Sequence, residues 1–289
     1  MIARGTVRDA SIPASSSFEH LRWSCVYSVA FRRERMPELP EVEIARRDLE
    51  SWLLNRSIRL EVRDPELIQV GDQAIASGGT LVKAERRGKF ILLHLVDPAA
   101  LVVLHLRMTG QLLLATEADT DTDKARTRLL LVGAPLPSSQ TGDEVRVRLV
   151  DTRRLGRAWL LPATTDLGEV GVLAKLGPEP WPIPLSAALL RQRLGSTRRA
   201  IKVALLDQAV IAGVGNIIAS ESLWSARIHP GRSSRELNDD ELRRLGEAIA
   251  EVCGRVLEAE EAIDGPIAYV SQTGPGGTTD YFRVYGRDG

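Results

Sequence analysis

Pro37 and Glu38 stand directly behind an internal methionine, in the run Met36-Pro37-Glu38-Leu39-Pro40-Glu41. If translation begins at Met36, removal of that methionine leaves Pro37 with a free secondary amine and a carboxylate beside it. A terminal amine with a reference pKa near ~7.8 is neutral in roughly one molecule in seven at about pH 7, against about four in ten thousand for a lysine near ~10.4. The neutral amine is the attacking form, so Pro37 is a candidate Schiff-base nucleophile. The proline ring raises its own value, which makes that advantage an upper bound. The same residues also suit a Pro-rich helix entry with no chemistry.

Four further positions carry suitable groups. Lys89, in Arg86-Arg87-Gly88-Lys89-Phe90, stands at a basic turn before an apolar strand. It can contact a phosphate or shuttle a proton, and it also fits a solvated turn. His105-Leu106-Arg107-Met108-Thr109-Gly110 puts Met108 at a turn, where an apolar tip can wedge into a base stack or simply be buried. In Asp151-Thr152-Arg153-Arg154-Leu155-Gly156-Arg157 the arginines can grip phosphates or fill the place of an extruded base. Gly213-Val214-Gly215-Asn216 separates two helical runs. There Asn216 can cap the second helix, whose free amides form an anion site. A plain packed helix–turn–helix junction is the alternative.

These positions must be held by two kinds of element. From Pro40 the pattern is helical, with Val42, Ala45, Leu49 and Trp52 on one face and Glu41 and Glu43 near the positive end of the dipole. Short β-like runs follow at 58–62, 80–85, 90–95, 101–106, 111–114, 128–132, 145–150 and 158–161, spaced as in a sandwich or barrel. A Pro- and Gly-rich connection leads to helical runs at 185–194, 199–207, 216–226 and 239–258. The last piece, 269–289, holds three glycines before a short strand at 281–285. The fold class is therefore α+β, with the boundaries 1–35, 36–162, 163–184 and 185–289 for an extension, a β-rich domain, a linker and a helical domain.

Bulk composition narrows the rest. The 289 residues carry 38 basic and 38 acidic side chains, so net charge points to no partner, but the signs are segregated. Basic residues cluster at 86–89, at Arg126 and Arg128, at 153–157 and at 191–202, and acidic ones at 117–123 and 236–261. A basic face can hide under a zero total. Two cysteines, Cys25 and Cys253, exclude a disulfide framework or a four-cysteine metal site and suit a reducing cytoplasm. No apolar run approaches the ~18 residues that span a membrane. Residues 1–35 carry no sustained period, and a wrongly assigned start codon accounts for them most simply.

Taken in order, Pro37–Glu43, Arg87-Gly88-Lys89, His105–Gly110, Asp151–Gly156, Leu176-Gly177-Pro178-Glu179-Pro180 and Gly213–Glu221 resemble the formamidopyrimidine-DNA glycosylase family, relatives of endonuclease VIII. The resemblance implies an N-terminal β-sandwich with a leading helix, joined to a helical domain built on a helix–two-turn–helix, with DNA in the cleft between. It implies that Pro37 attacks C1′ of a damaged nucleotide, that Glu38 protonates the sugar ring oxygen or the departing base, and that Lys89 binds a nearby phosphate and assists proton transfer. Asn216 and its neighbouring amides would clamp a phosphate. Arg154, Arg198 and Lys202 would add contacts to the DNA backbone, as would Arg126 on a looser match. Met108, Arg153 and Leu155 would fill the gap left by the flipped nucleotide. The implied partner is double-stranded DNA containing oxidised or abasic lesions, bound by a monomer in a bacterial cytoplasm, in association with the nucleoid.

Three departures qualify that resemblance. An amide-bonded Pro37 has no lone pair for attack, so a chain retaining the preceding residues is inactive as a lyase. The family's structural zinc lacks its cysteine ligands here, and no cofactor is expected. Leu155 replaces a usually aromatic wedge and offers less stacking area. Oxidised purines are the expected lesions. A catalytically silent protein that binds damaged DNA, and an endonuclease VIII-like glycosylase for oxidised pyrimidines, remain the alternatives.

Overall fold

Helix α1 (Leu39–Leu53) begins with Pro40 in its first turn, where the missing N–H costs nothing. The computed structural model describes residues 37–71, 75, 77–116, 119, 121–136, 143–195, 198–261 and 282–284, all within one compact unit. The segment 1–35 lies outside the described residues. One stripe of α1 (Val42, Ala45, Leu49 and Leu53) enters the core of the β-domain, with Trp52 partly buried against it. Leu39, one turn earlier, belongs to the core of the helical domain instead. The opposite stripe is ionic: Glu43 pairs with Arg46 and Arg47 at 3.0 and 2.9 Å. Asn55, at φ 63°, turns the chain out of the helix, a conformation that Asn tolerates better than most residues.

Nine strands follow: β1 (Ser57–Val62), β2 (Ile68–Gly71), β3 (Gly79–Arg87), β4 (Phe90–Val96), β5 (Ala100–His105), β6 (Gly110–Leu114), β7 (Thr127–Gly133), β8 (Val145–Asp151) and β9 (Arg157–Pro162). A short helix, α2 (Asp121–Arg126), precedes β7. The strands form one continuous sheet in the order β2-β9-β5-β4-β3-β1-β7-β8-β6. Leu81, Ile91, Leu93, Val102 and Leu104 from one half share a core with Leu60, Leu129, Leu131, Val147 and Leu149 from the other. The sandwich is therefore one sheet folded over its own apolar face. Strand β2 has no counterpart among the runs read from sequence. It is short and mostly exposed, and it joins the sheet as an edge parallel to β9.

The connection 163–184 is part of the packing. Phe90, Leu92, Leu101, Val103, Trp159 and Leu161 point out of the other face of the sheet, and Leu173, Leu167, Val170 and Leu176 cover them. β4, β5 and β9 are thus apolar on both faces, which explains their unbroken hydrophobic runs.

The helical domain contains α3 (Ala187–Leu194), α4 (Ile201–Leu205), α5 (Asn216–Ser225) and α6 (Asp239–Glu261). Helix α6 starts with a reciprocal pair: the Glu241 amide donates to Asn238 Oδ1 and the Asn238 amide to Glu241 Oε2, both at 2.9 Å. The run expected at 199–207 shrinks to α4: before it Ala200 bridges Ser233, and after it Asp207 accepts from the Ala209 amide at 3.0 Å and turns the chain. The strand expected at 281–285 lies partly outside the described residues. Where described, it is not a strand: the Arg283 and Val284 amides both donate to Glu221 at 2.8 Å instead of to a sheet partner. Phe282 fills the helical core. No helix among the described residues is long and apolar enough to cross a membrane.

Candidate active site and nucleic-acid interface

Glu38 joins the two domains. Its carboxylate is buried, and it accepts from the amides of Gly215 and Ile218 through Oε2 (both 3.0 Å) and of Ile217 through Oε1 (2.8 Å). These are the unpaired donors at the start of α5, where the helix dipole also favours a negative charge. A Cβ on Gly215 would sit 2.3 Å from Glu38 Cδ, so only glycine allows this approach. Gly213, at φ +83°, turns its carbonyl to accept the Leu39 amide at 3.0 Å. The Glu38 amide donates to Glu41 at 3.0 Å. Pro37, directly before Glu38 in the chain, is thereby held at the junction of the sandwich and the helices.

This arrangement corrects one expectation. Asn216 does not cap α5. Gly215 occupies the capping position, and Asn216 is the first helical residue with its side chain exposed. The Ile217 and Ile218 amides expected to receive a phosphate already hold Glu38. A phosphate near Asn216 would meet its side chain.

Lys89 is not a solvated turn residue either. It lies at the β3–β4 hairpin, 6% exposed, close enough to Glu38 and Glu41 to act on both electrostatically. Burial pushes its ammonium below the ordinary lysine value, against the pull of those two carboxylates. Burial likewise pushes the Glu38 carboxyl up, with Lys89 and the three amides pulling it back. Opposite Phe90 in the sheet, His105 packs edge-on against that ring at 4.5 Å. Burial, with Arg107 and Lys89 nearby, pushes its imidazole down to about 3. His105 is therefore neutral near physiological pH, and its Nδ1 accepts the Arg107 amide at 3.0 Å.

Lys89→Met should reveal the coupling between Lys89 and Glu38. Losing the ammonium removes a charge that favours ionised Glu38, so the Glu38 carboxyl rises further. A reaction needing protonated Glu38 fails as pH rises through that value, so the alkaline limb of its pH–rate profile should move to higher pH. An unmoved limb would mean that the two groups do not interact.

The two turns carrying wedge candidates are tied together. Thr109 Oγ1 donates to Asp151 Oδ1, and the Arg153 amide lies 3.3 Å from both Thr109 Oγ1 and Asp151 Oδ1. Met108 is half-buried, while Arg153 and Leu155 are exposed on the neighbouring turn. Arg154, at φ 56°, donates to Asp64 from Nε at 2.9 Å. Arg198 is exposed and Lys202 half-buried near and within α4, and Arg126 is exposed at the end of α2.

Comparison with known proteins places this geometry. Residues 36–158 match the formamidopyrimidine-DNA glycosylase N-terminal domain, and residues 176–264 match the formamidopyrimidine-DNA glycosylase H2TH domain. The chain is 38% identical to the formamidopyrimidine-DNA glycosylase of Moorella thermoacetica, over 88% of this chain and 90% of that one. The chain belongs to the formamidopyrimidine-DNA glycosylase family. The crystal structure of the MutM (Fpg) protein from Thermus thermophilus superposes with a TM-score of 0.65 at 35% identity, covering 77% of each chain. A Lactococcus lactis Fpg in complex with abasic-site DNA superposes with a TM-score of 0.67 at 29% identity, covering 77% of this chain and 80% of that one.

Within this family fold, several residues counted as basic surface prove to be structural. Arg86 and Arg87 do not present a free basic face. Glu179 accepts from Arg86 Nη1 at 2.5 Å, Arg87 Nη1 at 2.6 Å and the Gly88 amide at 2.6 Å. Arg86 also reaches Glu43, and Arg87 reaches the Gly177 carbonyl at 2.7 Å. Glu179 thus fastens the Lys89 hairpin to the interdomain segment. The sequence signal was available: a carboxylate in a Pro-flanked turn and two adjacent arginines. Glu179→Gln should lower thermal stability by about 1–2 kcal/mol, or roughly 3–6 °C in Tm, allowing for partial exposure of the pair. An unchanged melt would show that the cluster contributes nothing net. Cys253 is buried in α6, and burial pushes its thiol up.

Proposed function

We propose that the chain is a bifunctional DNA glycosylase and AP lyase of base excision repair, acting in the cytoplasm on oxidised purines such as 8-oxoguanine and formamidopyrimidines. One observation carries the reading: the Glu38 carboxylate is buried on the α5 amides with Lys89 beside it. This sets the Pro37 nitrogen at the junction between two domains that the family uses for DNA. The match to the N-terminal domain begins at residue 36, which supports Pro37 as the mature first residue.

In this reading the Pro37 nitrogen attacks C1′. The C1′–N bond to the base breaks, the C1′–O4′ bond then opens with its electron pair left on the ring oxygen, and Glu38 supplies a proton to the ring oxygen or the departing base. The resulting iminium acidifies the C2′ hydrogen. Loss of that proton expels the 3′ phosphate, and a second elimination expels the 5′ phosphate. Lys89, buried and close to Glu38, assists proton transfer and meets the lesion's phosphate. Extrusion of the nucleotide costs a few kcal/mol, which Met108, Arg153 and Leu155 offset by filling the gap.

Single-turnover cleavage of duplexes carrying 8-oxoguanine, thymine glycol or an abasic site tests the proposal. Strand cleavage at 8-oxoguanine should outpace that at thymine glycol. The reverse order would assign an endonuclease VIII-like specificity, and binding without cleavage of any duplex would leave only a damage-binding protein.

Affinity should also fall steeply with salt. If Arg126, Arg154, Arg198 and Lys202 each neutralise one phosphate, the log–log slope is about −3.5, or about a hundredfold between roughly 50 and 200 mM. A flat titration would contradict a phosphate-clamping interface.

A further inference from the structure

Arg128 belongs to strand β7 at a register shift, where Thr127 pairs with Val150 but Leu129 pairs with Leu149. The irregularity leaves its backbone carbonyl to accept the Arg63 and Asp64 amides at 2.9 and 3.1 Å. Its side chain, 2% exposed, lies between two carboxylates. Nε donates to Asp64 Oδ2 at 2.7 Å, and Nη1 donates to Asp151 Oδ2 at 3.3 Å and to the Gly156 carbonyl at 3.1 Å.

Each carboxylate then reaches a different loop. Asp151 takes the Thr109 hydroxyl from the Met108 turn, and the Arg153 and Gly156 amides at 3.3 and 2.7 Å from the Arg153–Leu155 turn. Asp64 takes the Arg154 guanidinium through Nη2 at 2.8 Å. Two carboxylates and two guanidiniums balance in charge. Arg128 is the interior cation that spans both acids, while the Arg154 side chain is 62% exposed.

We infer that Arg128, bridging Asp64 and Asp151, is a positioning residue that locks the Met108 turn and the Arg153–Leu155 turn into one rigid wedge. The inference rests on the glycosylase reading of those turns. Arg128 itself is buried and would act through the turns it holds. Its effect comes from mutual placement: two tips must enter the same gap together, and a displacement of about 1 Å costs up to about a hundredfold in rate. A planar guanidinium holds two carboxylates and a carbonyl in fixed directions, whereas an ammonium keeps the charge without the fork.

Arg128→Lys is therefore the informative variant, because it keeps the buried acids neutralised. Arg128→Met leaves them unpaired and serves as the comparison for gross destabilisation. Protein beginning at Pro37 would be assayed on duplex 8-oxoguanine and on single-stranded abasic DNA, which requires no wedge. A 2-aminopurine beside the lesion would report insertion. For Arg128→Lys, duplex excision should fall about 10- to 100-fold and the 2-aminopurine signal should be lost, while trapping on the single strand stays within about twofold. Equal losses on both substrates, or unchanged duplex excision, would overturn the positioning role. Wild-type protein that traps neither substrate would overturn the glycosylase reading and this inference with it.

Discussion

Protein beginning at Pro37 is expected to cross-link covalently to lesion DNA under borohydride, and the same chain with residues 1–36 joined through a peptide bond at Pro37 is expected to give no cross-link. The difference is one of electronic structure. An amide nitrogen shares its lone pair with the carbonyl, as the short, planar C–N bond shows, and it cannot form an iminium. A free secondary amine keeps the pair, and near neutral pH a usable fraction is unprotonated. The expected effect is close to all-or-none, larger than that of any side-chain change proposed above. Mass spectrometry of the native N-terminus and trapping of both forms would measure it together. Equal trapping by the blocked chain would rule out Pro37 as nucleophile and send the search to a lysine, of which Lys89 is nearest to Glu38 by the electrostatics described.

The second large effect is expected at Glu38. Glu38→Gln should slow base release by about 10²- to 10⁴-fold, the usual worth of a placed proton donor. It should spare cleavage at a preformed abasic site, where no base has to leave. Part of the loss will be structural. Three amides converge on the two carboxylate oxygens, and glutamine replaces one oxygen with an NH₂ that cannot accept. Leaving one or two amides unpaired costs about 1–3 kcal/mol.

The pH dependence separates the two roles. Burial raises the Glu38 carboxyl above its unfolded value, so the protonated acid persists to higher pH than a free carboxyl would, and base release declines as pH rises through the folded value. The same shift gives Glu38 a contribution to stability that is full below the ordinary carboxylate value and is lost as pH rises through the raised one. Glu38→Gln should remove the alkaline limb of base release and the Glu38 part of the stability slope. A variant that lost excision and abasic cleavage equally, with the alkaline limb intact, would mean that Glu38 only fastens the domains.

Much of the local architecture was legible in the residues. The apolar face of α1 includes Val42, Ala45 and Leu49, as its 3.6-residue period demands. Eight strand runs could be read because period, turn residues and β-branched content are local properties. The motifs around Pro37, Lys89, Met108, Arg153 and Asn216 were legible for the same reason, since each is a short contiguous string.

Partners were not legible. Glu38 finds its amides nearly 180 residues away, and only the fold decides that the anion at the α5 N-terminus is a side chain rather than a phosphate. Arg86, Arg87 and Arg128 read as basic surface, yet the structure gives them to Glu179, Glu43, Asp64 and Asp151. Composition records a charge but not its distance to another charge, and distance sets whether that charge binds a partner or is spent inside. The sequence alone therefore determined which chemical groups are present and which elements carry them. Tertiary packing decided which are neutralised, which are buried enough to shift their protonation, and which remain facing outward, because Coulomb energy and desolvation depend on separation and burial in space.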